Sequence, residues 1–576
     1  MPRATFACTA LACAAMSCSA QVRQFPLREP LAIDTDLRPV SVACHPDGDK
    51  QTCAPAEYVS PFVWDQMDNL VFAPVSGALS IDVTGESRNA NSLDEVPDSS
   101  WFTNRPRHAT LDADADAPGA CGEDDLLPSS DHVPDHRWVI DHGKDNGSTL
   151  GFRVTVPEKG IYMLKADDEG KPERASAASV IGAAVYHAIG FNTSCEQIVV
   201  LRKAQLELKA GLKVVDNSGV THPFDDAALD RVLATTTQVA GGRVRMQASK
   251  WLPGLPIGPF RYIGTRADDP NDVIDHADRR ELRGSRVLAA WLDHWDAREQ
   301  NSMDVWMASD PDDKHASPGV VMHYVLDTSD TLGGEVSVAE MSRRLGYSYD
   351  FDPGDIATSL LTLGAVERPW DRARRMPGRE KFGYYRADDF EPASWKPVYP
   401  NPAFRRMTER DAAWMARLIA RFSYADIRRL VGLGQWADPS DADYVTGILI
   451  ERQHKILARY LTRLSPLGEI RRTGDQICAT DFARLRAVAP ADRFRYTVTE
   501  RAADGSAIDL PVTAGDDGEV CFRPRAMIAG DPPADDPARR VRLEVRNGAS
   551  AGPLVIHGFD HGTRGVRVVG ATRPEP

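Results

Sequence analysis

The stretch from Arg279 to Gly334 constrains the fold more than any other part of the chain. Leu288, Trp291, Leu292 and Trp295 recur at helical spacing and give one apolar face. That face leads into His294-Trp295-Asp296, and Asn301 follows five residues after the aspartate, an H-x-D-x4-N pattern. Two apolar runs, SMDVWM and VVMHYV, then flank a polar loop, and the second delivers Asp327 shortly before a Gly-Gly turn. A hairpin placed there returns its second carboxylate to the loop that carries the first, so Asp296, Asn301 and Asp327 are expected to converge.

Upstream, Arg137–Asp141 reads as a strand, Gly151–Val156 as a second and Ile161–Lys165 as a third. Gly143, Gly147 and Gly151 bracket the first turn, where backbone N–H groups can face an anion. Lys165 ends the third strand. Ala177, Val180, Ile181, Ala184, Val185, Ala188 and Ile189 then mark a helix that Gly190 stops. Residues Glu196–Leu208 read as one further strand, and Val244–Leu252 as a strand running into the Pro/Gly-rich turn Pro253–Pro259. Beyond the central stretch, Met341–Pro400 is irregular. Three helices follow, with Thr408-x-x-Asp411, Ser423-x-x-Asp426 and Ser440-x-x-Asp443 as capping signals. From Pro466 the pattern alternates in the manner of β-strands.

The 21–135 region is loop-rich. Val71–Val83 reads there as a short strand pair, and the cluster from Asp94 to Arg105 as a structural plug with Trp101 and Phe102 buried. The run Ala4–Ala20 is small and apolar behind Arg3, which reads as a signal peptide. Cleavage before Gln21 would release the protein; cleavage before Cys13 or Cys18 would give a lipoprotein, the one route to a membrane. Export permits disulfides. Cys44 with Cys53 would close a short loop and Cys478 with Cys521 would staple the C-terminal region, while Cys121 and Cys195 are either a third pair or free thiols; the sequence does not decide the connectivity. At 576 residues the chain is expected to hold several domains, and its net charge of −15 argues against a nucleic-acid partner.

Phosphoryl transfer needs a carboxylate to accept or orient the attacking hydroxyl, oxygen ligands for Mg²⁺, and a cation on the phosphates. Asp296 fits the first role, Asn301 and Asp327 the second, and Lys165 the third. Gly143, Gly147, Gly151 and Lys165 would hold the nucleotide, ATP. Mg²⁺ suits so sparse a set because phosphates and waters complete its octahedron. No G-x-S-x-G, H-E-x-x-H or G-x-x-x-x-G-K-[ST] motif is present. His132-x3-His136 and His557-x3-His561 each contain proline or glycine, which argues against paired metal ligation.

The segments YMLKAD, DDPNDVIDHADRRELRG, HWDAREQNSMD, HYVLDTSDTLGG and YPNPAF resemble a family of exported bacterial proteins of uncharacterised activity. That family is similar to the atypical protein-kinase-like folds, including phosphatidylinositol kinases and secretory-pathway kinases. The resemblance spans about residues 90–465 and implies that Lys165, Asp296, Asn301 and Asp327 are the functional positions. The chain departs from the kinase pattern at Thr328-Ser329, where Phe-Gly is common, and in the helix after Lys165, which has no acidic residue between Arg174 and Thr193. Either Glu173 reaches back to Lys165 or that pairing is missing.

The expected fold is α+β: a two-lobed kinase-like core behind an irregular N-terminal extension and before a C-terminal β-sandwich domain. The expected boundaries are 1–20 for the signal peptide, 21–135 for the extension, 136–255 for the small lobe, 256–465 for the helical large lobe, and 466–576 for the β-sandwich. The expected function is exported ATP/Mg²⁺-dependent phosphotransfer to an unidentified hydroxyl acceptor. The alternative is a non-catalytic pseudokinase that binds or supports the cell envelope, whether periplasmic, lipid-anchored or secreted.

Overall fold

Strand Arg243–Lys250 is paired along both edges, which makes it the spine of the largest sheet. In the computed structural model, Glu196–Leu201 lies antiparallel on one side, and Thr237–Val239 and then Gly160–Lys165 lie on the other. The sheet continues through Gly151–Val156, Trp138–Gly143 and Leu206–Leu208. The structure describes residues 30–47, 50–72, 75–76, 85–105, 119–128, 137–144, 149–168, 170–215, 220–334, 339–525 and 536–575. The signal-peptide expectation therefore lies outside the described residues, as do Gly147, His132 and His136.

Helix Arg174–Ile189 contributes Ile181, Val185 and Ile189 to a large core that also holds the apolar faces of Arg280–Leu292, Glu409–Ile419 and Pro439–Tyr460. Helix Asp226–Thr235 instead packs with the sheet in a separate core. The hairpin Ser302–Ala308/Gly319–Val325 stands between, and Val325 pairs in parallel with Thr193. After residue 466 come two antiparallel sheets of four and five strands. Leu467, Ile477 and Phe522 of the first share one core with Leu543, Val545 and Ile556 of the second.

Several local expectations change. Glu196–Leu208 is two strands, because Lys203–Gln205 forms a 3₁₀ turn in which Gln205 Oε1 accepts from the Arg202 N–H at 2.7 Å. In the Val71–Val83 region the helix begun at Phe62 runs on as a π-turn through Phe72 instead of a strand; residues 73–74 and 77–83 are outside the described set. The otherwise irregular Met341–Pro400 segment contains helix Pro353–Thr362, capped by Asp352. The last long helix starts at Pro439, with Asp438 and not Ser440 as its cap; proline at the first turn already has a helical φ and needs no N–H there. The other two capping boxes form as read.

The six cysteines among the described residues form three disulfides: Cys44–Cys53, Cys121–Cys195 and Cys478–Cys521. Among the described residues no helix is long and apolar enough to cross a membrane. Trp101 and Phe102 are buried. Trp101 stacks on His323 with centroids 3.5 Å apart, and Phe102 packs on Phe191 and Trp414.

Beside this plug, Asp94 joins distant segments. Its carboxylate pairs with Arg280 at 2.6 Å and with Arg573 at 2.7 Å, while Arg280 also reaches Asp411 at 3.2 Å. Arg417 pairs with the adjacent Glu95 at 2.9 Å. Burial, the largest influence on Asp94, acts to raise its pKa; Arg280, Arg573 and Arg417 together outweigh it and hold the carboxyl well below its usual range. Asp94→Asn keeps a side chain that tolerates the left-handed backbone at this position (φ 62°) but leaves two buried guanidiniums short of charge. Urea unfolding is expected to show a loss of about 3–5 kcal/mol. Because the folded pKa is depressed, wild type holds this contribution above about pH 4 and loses it as the pH falls further. The Asn variant is expected to lack that acid-dependent loss.

Candidate functional site

Lys165 is placed by sheet register. It pairs with Gln247 on strand Arg243–Lys250, whose next outward-alternating residue, Ser249, pairs across the other edge with Glu196. Gln247 Nε2 donates to Glu196 Oε2 at 2.8 Å and Ser249 Oγ to Oε1 at 2.6 Å. Ser194 Oγ adds a bond at 2.6 Å, and Ser179 Oγ a long one at 3.4 Å. Burial raises the Glu196 pKa, and the positive Lys165 is the largest influence opposing it. Glu196, a carboxylate whose charge acts on this lysine, comes from a strand. Helix Arg174–Ile189 supplies only the Ser179 hydroxyl.

Glu173 does not reach back to Lys165. It sits at the helix entrance with φ 68°, and its carboxylate pairs with Lys381 at 3.3 Å and accepts from the Ala437 N–H at 3.1 Å. The direct partner of Lys165 is Asp327, with Nζ and Oδ1 3.1 Å apart. Burial acts to lower the Lys165 pKa, but Asp327 and Glu196 outweigh it and hold the ammonium protonated.

Asp327 follows strand Gly319–Val325 in a left-handed conformation (φ 48°, ψ 63°) and opens the 3₁₀ turn Thr328–Asp330. A non-glycine residue held there carries strain of about 1–2 kcal/mol, so the surroundings must fix it. They do so from the helix. Thr328 Oγ1 donates to the Ser179 carbonyl at 2.8 Å, and Thr331 Oγ1 to the Ala178 carbonyl at 3.2 Å. Gly182 makes this approach possible, since a Cβ there would meet the Thr328 Cβ at 2.6 Å. Arg174 Nη1 donates to the Ser329 carbonyl at 2.8 Å, and Ser329 Oγ to Asp327 Oδ1 at 2.7 Å. The Thr328-Ser329 departure thus carries a polar anchor of its own.

The loop after helix Arg280–Leu292 brings in the other two residues. Asn301 Nδ2 donates to Asp296 Oδ2 at 2.9 Å and to the Asp296 carbonyl at 2.8 Å. Arg298 Nε lies 3.1 Å from Asp296 Oδ1. Burial, resisted by Arg298 and Asn301 and assisted by Asp327, pushes the Asp296 pKa up to about 6. His294 is enclosed beneath the loop, with Nδ1 2.9 Å from the Tyr186 hydroxyl; burial brings its pKa down to about 4 and leaves it neutral.

Asp330 is the acidic member of the site that sequence reasoning missed. Burial first, then Asp296 and Asp327, pushes its pKa up to about 8 against the pull of Arg174. Lys144, on the turn beside Gly143, adds positive potential at Asp327 and was also missed. A turn aspartate and a hairpin lysine carry no sequence signal that separates them from surface residues. For Gly143 and Gly151 packing gives a sufficient reason: a Cβ would meet the Phe224 ring at 2.8 Å in the first case and the Leu164 carbonyl oxygen at 2.4 Å in the second.

Asp296, Asp327, Asp330 and the Asn301 amide offer oxygen donors only, and Asp296 and Asp327 both act to raise the Asp330 pKa. That chemistry fits a hard divalent cation. Among the described residues, the one tight group of three metal-ligating side chains is Cys478, Glu519 and Cys521, and its cysteines are joined as a disulfide.

Asp330 gives the site a pH dependence that can be measured. Its folded pKa lies above the unfolded value of about 3.9, so the native state binds the extra proton and stability falls as pH rises from about 4 through 8. Chemical denaturation of wild type and Asp330→Asn across that range is expected to show a shallower fall in the variant.

No family model matches the chain, and no curated protein matches it. Among solved structures the chain is similar to the Golgi casein kinase, with a TM-score of 0.25 and 11% identity over 56% of this chain and 70% of that one. It is also similar to the Golgi casein kinase with Mn/ADP bound, with a TM-score of 0.22 and 12% identity over 64% of this chain and 84% of that one. Both likenesses are distant.

Proposed function

We propose that this chain is an atypical kinase-like phosphotransferase whose site lies between Lys165, Asp296, Asn301 and Asp327. The observation that carries the reading is the convergence of separate segments: Lys165 Nζ is 3.1 Å from Asp327 Oδ1, and Asn301 binds Asp296 at 2.9 Å. In this reading the strands of 136–255 act as a small lobe, 256–465 as a helical large lobe, and 466–576 as a β-sandwich domain. Three disulfides favour an oxidising compartment outside the cytoplasm.

Asn301 and Asp327 would hold Mg²⁺. The ion, when bound, offsets charge on the phosphate oxygens. Lys165 binds the nucleotide phosphates, steadied by Glu196 from the adjoining strand. Asp296 orients the acceptor hydroxyl and takes its proton. Its pKa of about 6 suits a general base near neutral pH, and Arg298 and Asn301 fix its plane. The backbone at Gly143 and Gly151, on the paired strands Trp138–Gly143 and Gly151–Val156, would border the phosphates.

A second reading, nucleotide binding without turnover, draws on the same residues. Both Asp296 oxygens are already engaged, Oδ1 by Arg298 and Oδ2 by Asn301, and Lys165 contacts Asp327 directly. Thermal unfolding with and without millimolar Mg²⁺·ATP separates the readings. Nucleotide is expected to raise Tm in wild type, and Asp327→Ala to abolish the shift. Asp296→Asn is expected to retain the shift while lowering γ-phosphate turnover by about 10²–10⁴-fold. A shift without any turnover in wild type supports the second reading. No shift in wild type sinks both.

Glu196→Gln tests the strand-borne carboxylate by itself. It removes one negative charge while preserving shape, so a higher KM for nucleotide with a smaller change in kcat is expected.

A further inference from the structure

A concentration of positive charge lies in the C-terminal region of this acidic chain. Two hairpin ends, one from each sheet, line a cavity of about 430 Å³. Arg471 and Arg472 come from strand Leu467–Thr473. Arg564 and Arg567 come from the turn and strand of the Leu554–Asp560/Val566–Thr572 hairpin, together with His561. No carboxylate is among the described residues that line the cavity. Ile470 and Val568 add apolar wall.

Three features suit this cavity to a ligand. All four cations are arginine, whose planar fork can meet two oxygens of one anion. His561 Nε2 is buried without a hydrogen-bond partner. The Arg472 guanidinium lies against the backbone at Gly565, where a Cβ would meet Nη2 at 3.1 Å, and its Nε is anchored on the Gly474 carbonyl at 2.8 Å. Arg471 is steadied by Glu519, so the pair presents preset groups at the mouth. The mixed wall favours an anion attached to a larger body over a bare ion.

We propose that this cavity is a binding site for a phosphate or sulfate ester borne on a sugar-sized body, independent of the Lys165–Asp327 site. Calorimetric titration of the full chain with glucose 6-phosphate and glucose 6-sulfate, with glucose as the uncharged control, tests it. Saturable binding of at least one ester is expected, and none of glucose. Arg472→Ala/Arg564→Ala is expected to weaken ester binding at least tenfold while leaving ligand-free thermal unfolding unchanged, because both side chains are exposed. Arg472→Lys, which keeps charge without the fork, is expected to weaken it less. The proposal is overturned if wild type shows no saturable binding at millimolar ester. It is equally overturned if binding survives the double alanine variant and is lost in Lys165→Met, which would place the ester at the other site.

Discussion

The charge cluster at Asp94 is the constraint on which the assembly of the chain depends. It joins the N-terminal segment, helix Arg280–Leu292, helix Glu409–Ile419 and the end of the last strand, and its Asp94–Arg573 contact closes 479 residues of sequence separation. Each of these ions would be costly to bury alone, and each is tolerable only with its partners in place. The cluster therefore rewards one arrangement of the C-terminal sheets against the helical core. Arg573 Nη2 also donates to the Leu467 carbonyl at 2.6 Å, which ties the first strand of that region to its last residues.

Helix Arg280–Leu292 links this cluster to the candidate site. Its first residue, Arg280, is held by Asp94 and Asp411, and its far end turns through Asp293 in a left-handed cap into His294 and Asp296. Asp293 is fixed in turn by Trp395 Nε1 at 2.9 Å. The position of Asp296 along the helix axis is thus anchored at both ends. The Thr328 turn is anchored separately, on the carbonyls of helix Arg174–Ile189. Two rigid supports meeting at one place is how a site of few residues acquires a defined geometry.

Much of this was legible in the sequence because it depends on periodicity. The helix from Arg174 follows from its small apolar repeat, the hairpin that delivers Asp327 from its two apolar runs, and the grouping of Asp296, Asn301 and Asp327 from their order. What could not be read depends on contacts across the sheet. Glu196 looks like the first residue of an ordinary strand; its closeness to Lys165 arises only because Arg243–Lys250 pairs with both neighbours in one register. Glu173 was the nearest carboxylate along the helix, but the left-handed entrance turns it toward Lys381. Asp330 resembles a turn residue until Asp296 and Asp327 are folded around it. The Val71–Val83 strand reading failed at its start for a related reason, since an apolar run of that length does not distinguish a strand from the continuation of a helix.

The strand origin of Glu196 changes how such a site can be controlled. In protein kinases the lysine pairs with a helix carboxylate, and movement of that helix makes or breaks the pair. Under the proposed reading the corresponding carboxylate is Glu196, held by Gln247, Ser249 and Ser194, and six ladder pairings fix its strand against Arg243–Lys250. Moving it would mean breaking the sheet. Helix Arg174–Ile189 still touches the site, but through Thr328 and Thr331, so a shift of the helix would act on the backbone around Asp327 and leave the lysine's second carboxylate in place. The adjustable quantity is then the charge balance among Asp296, Asp327 and Asp330. Burial first, and neighbouring carboxylates after it, raise Asp296 to about 6 and Asp330 to about 8, so a cation or a proton at that spot relieves the same electrostatic cost.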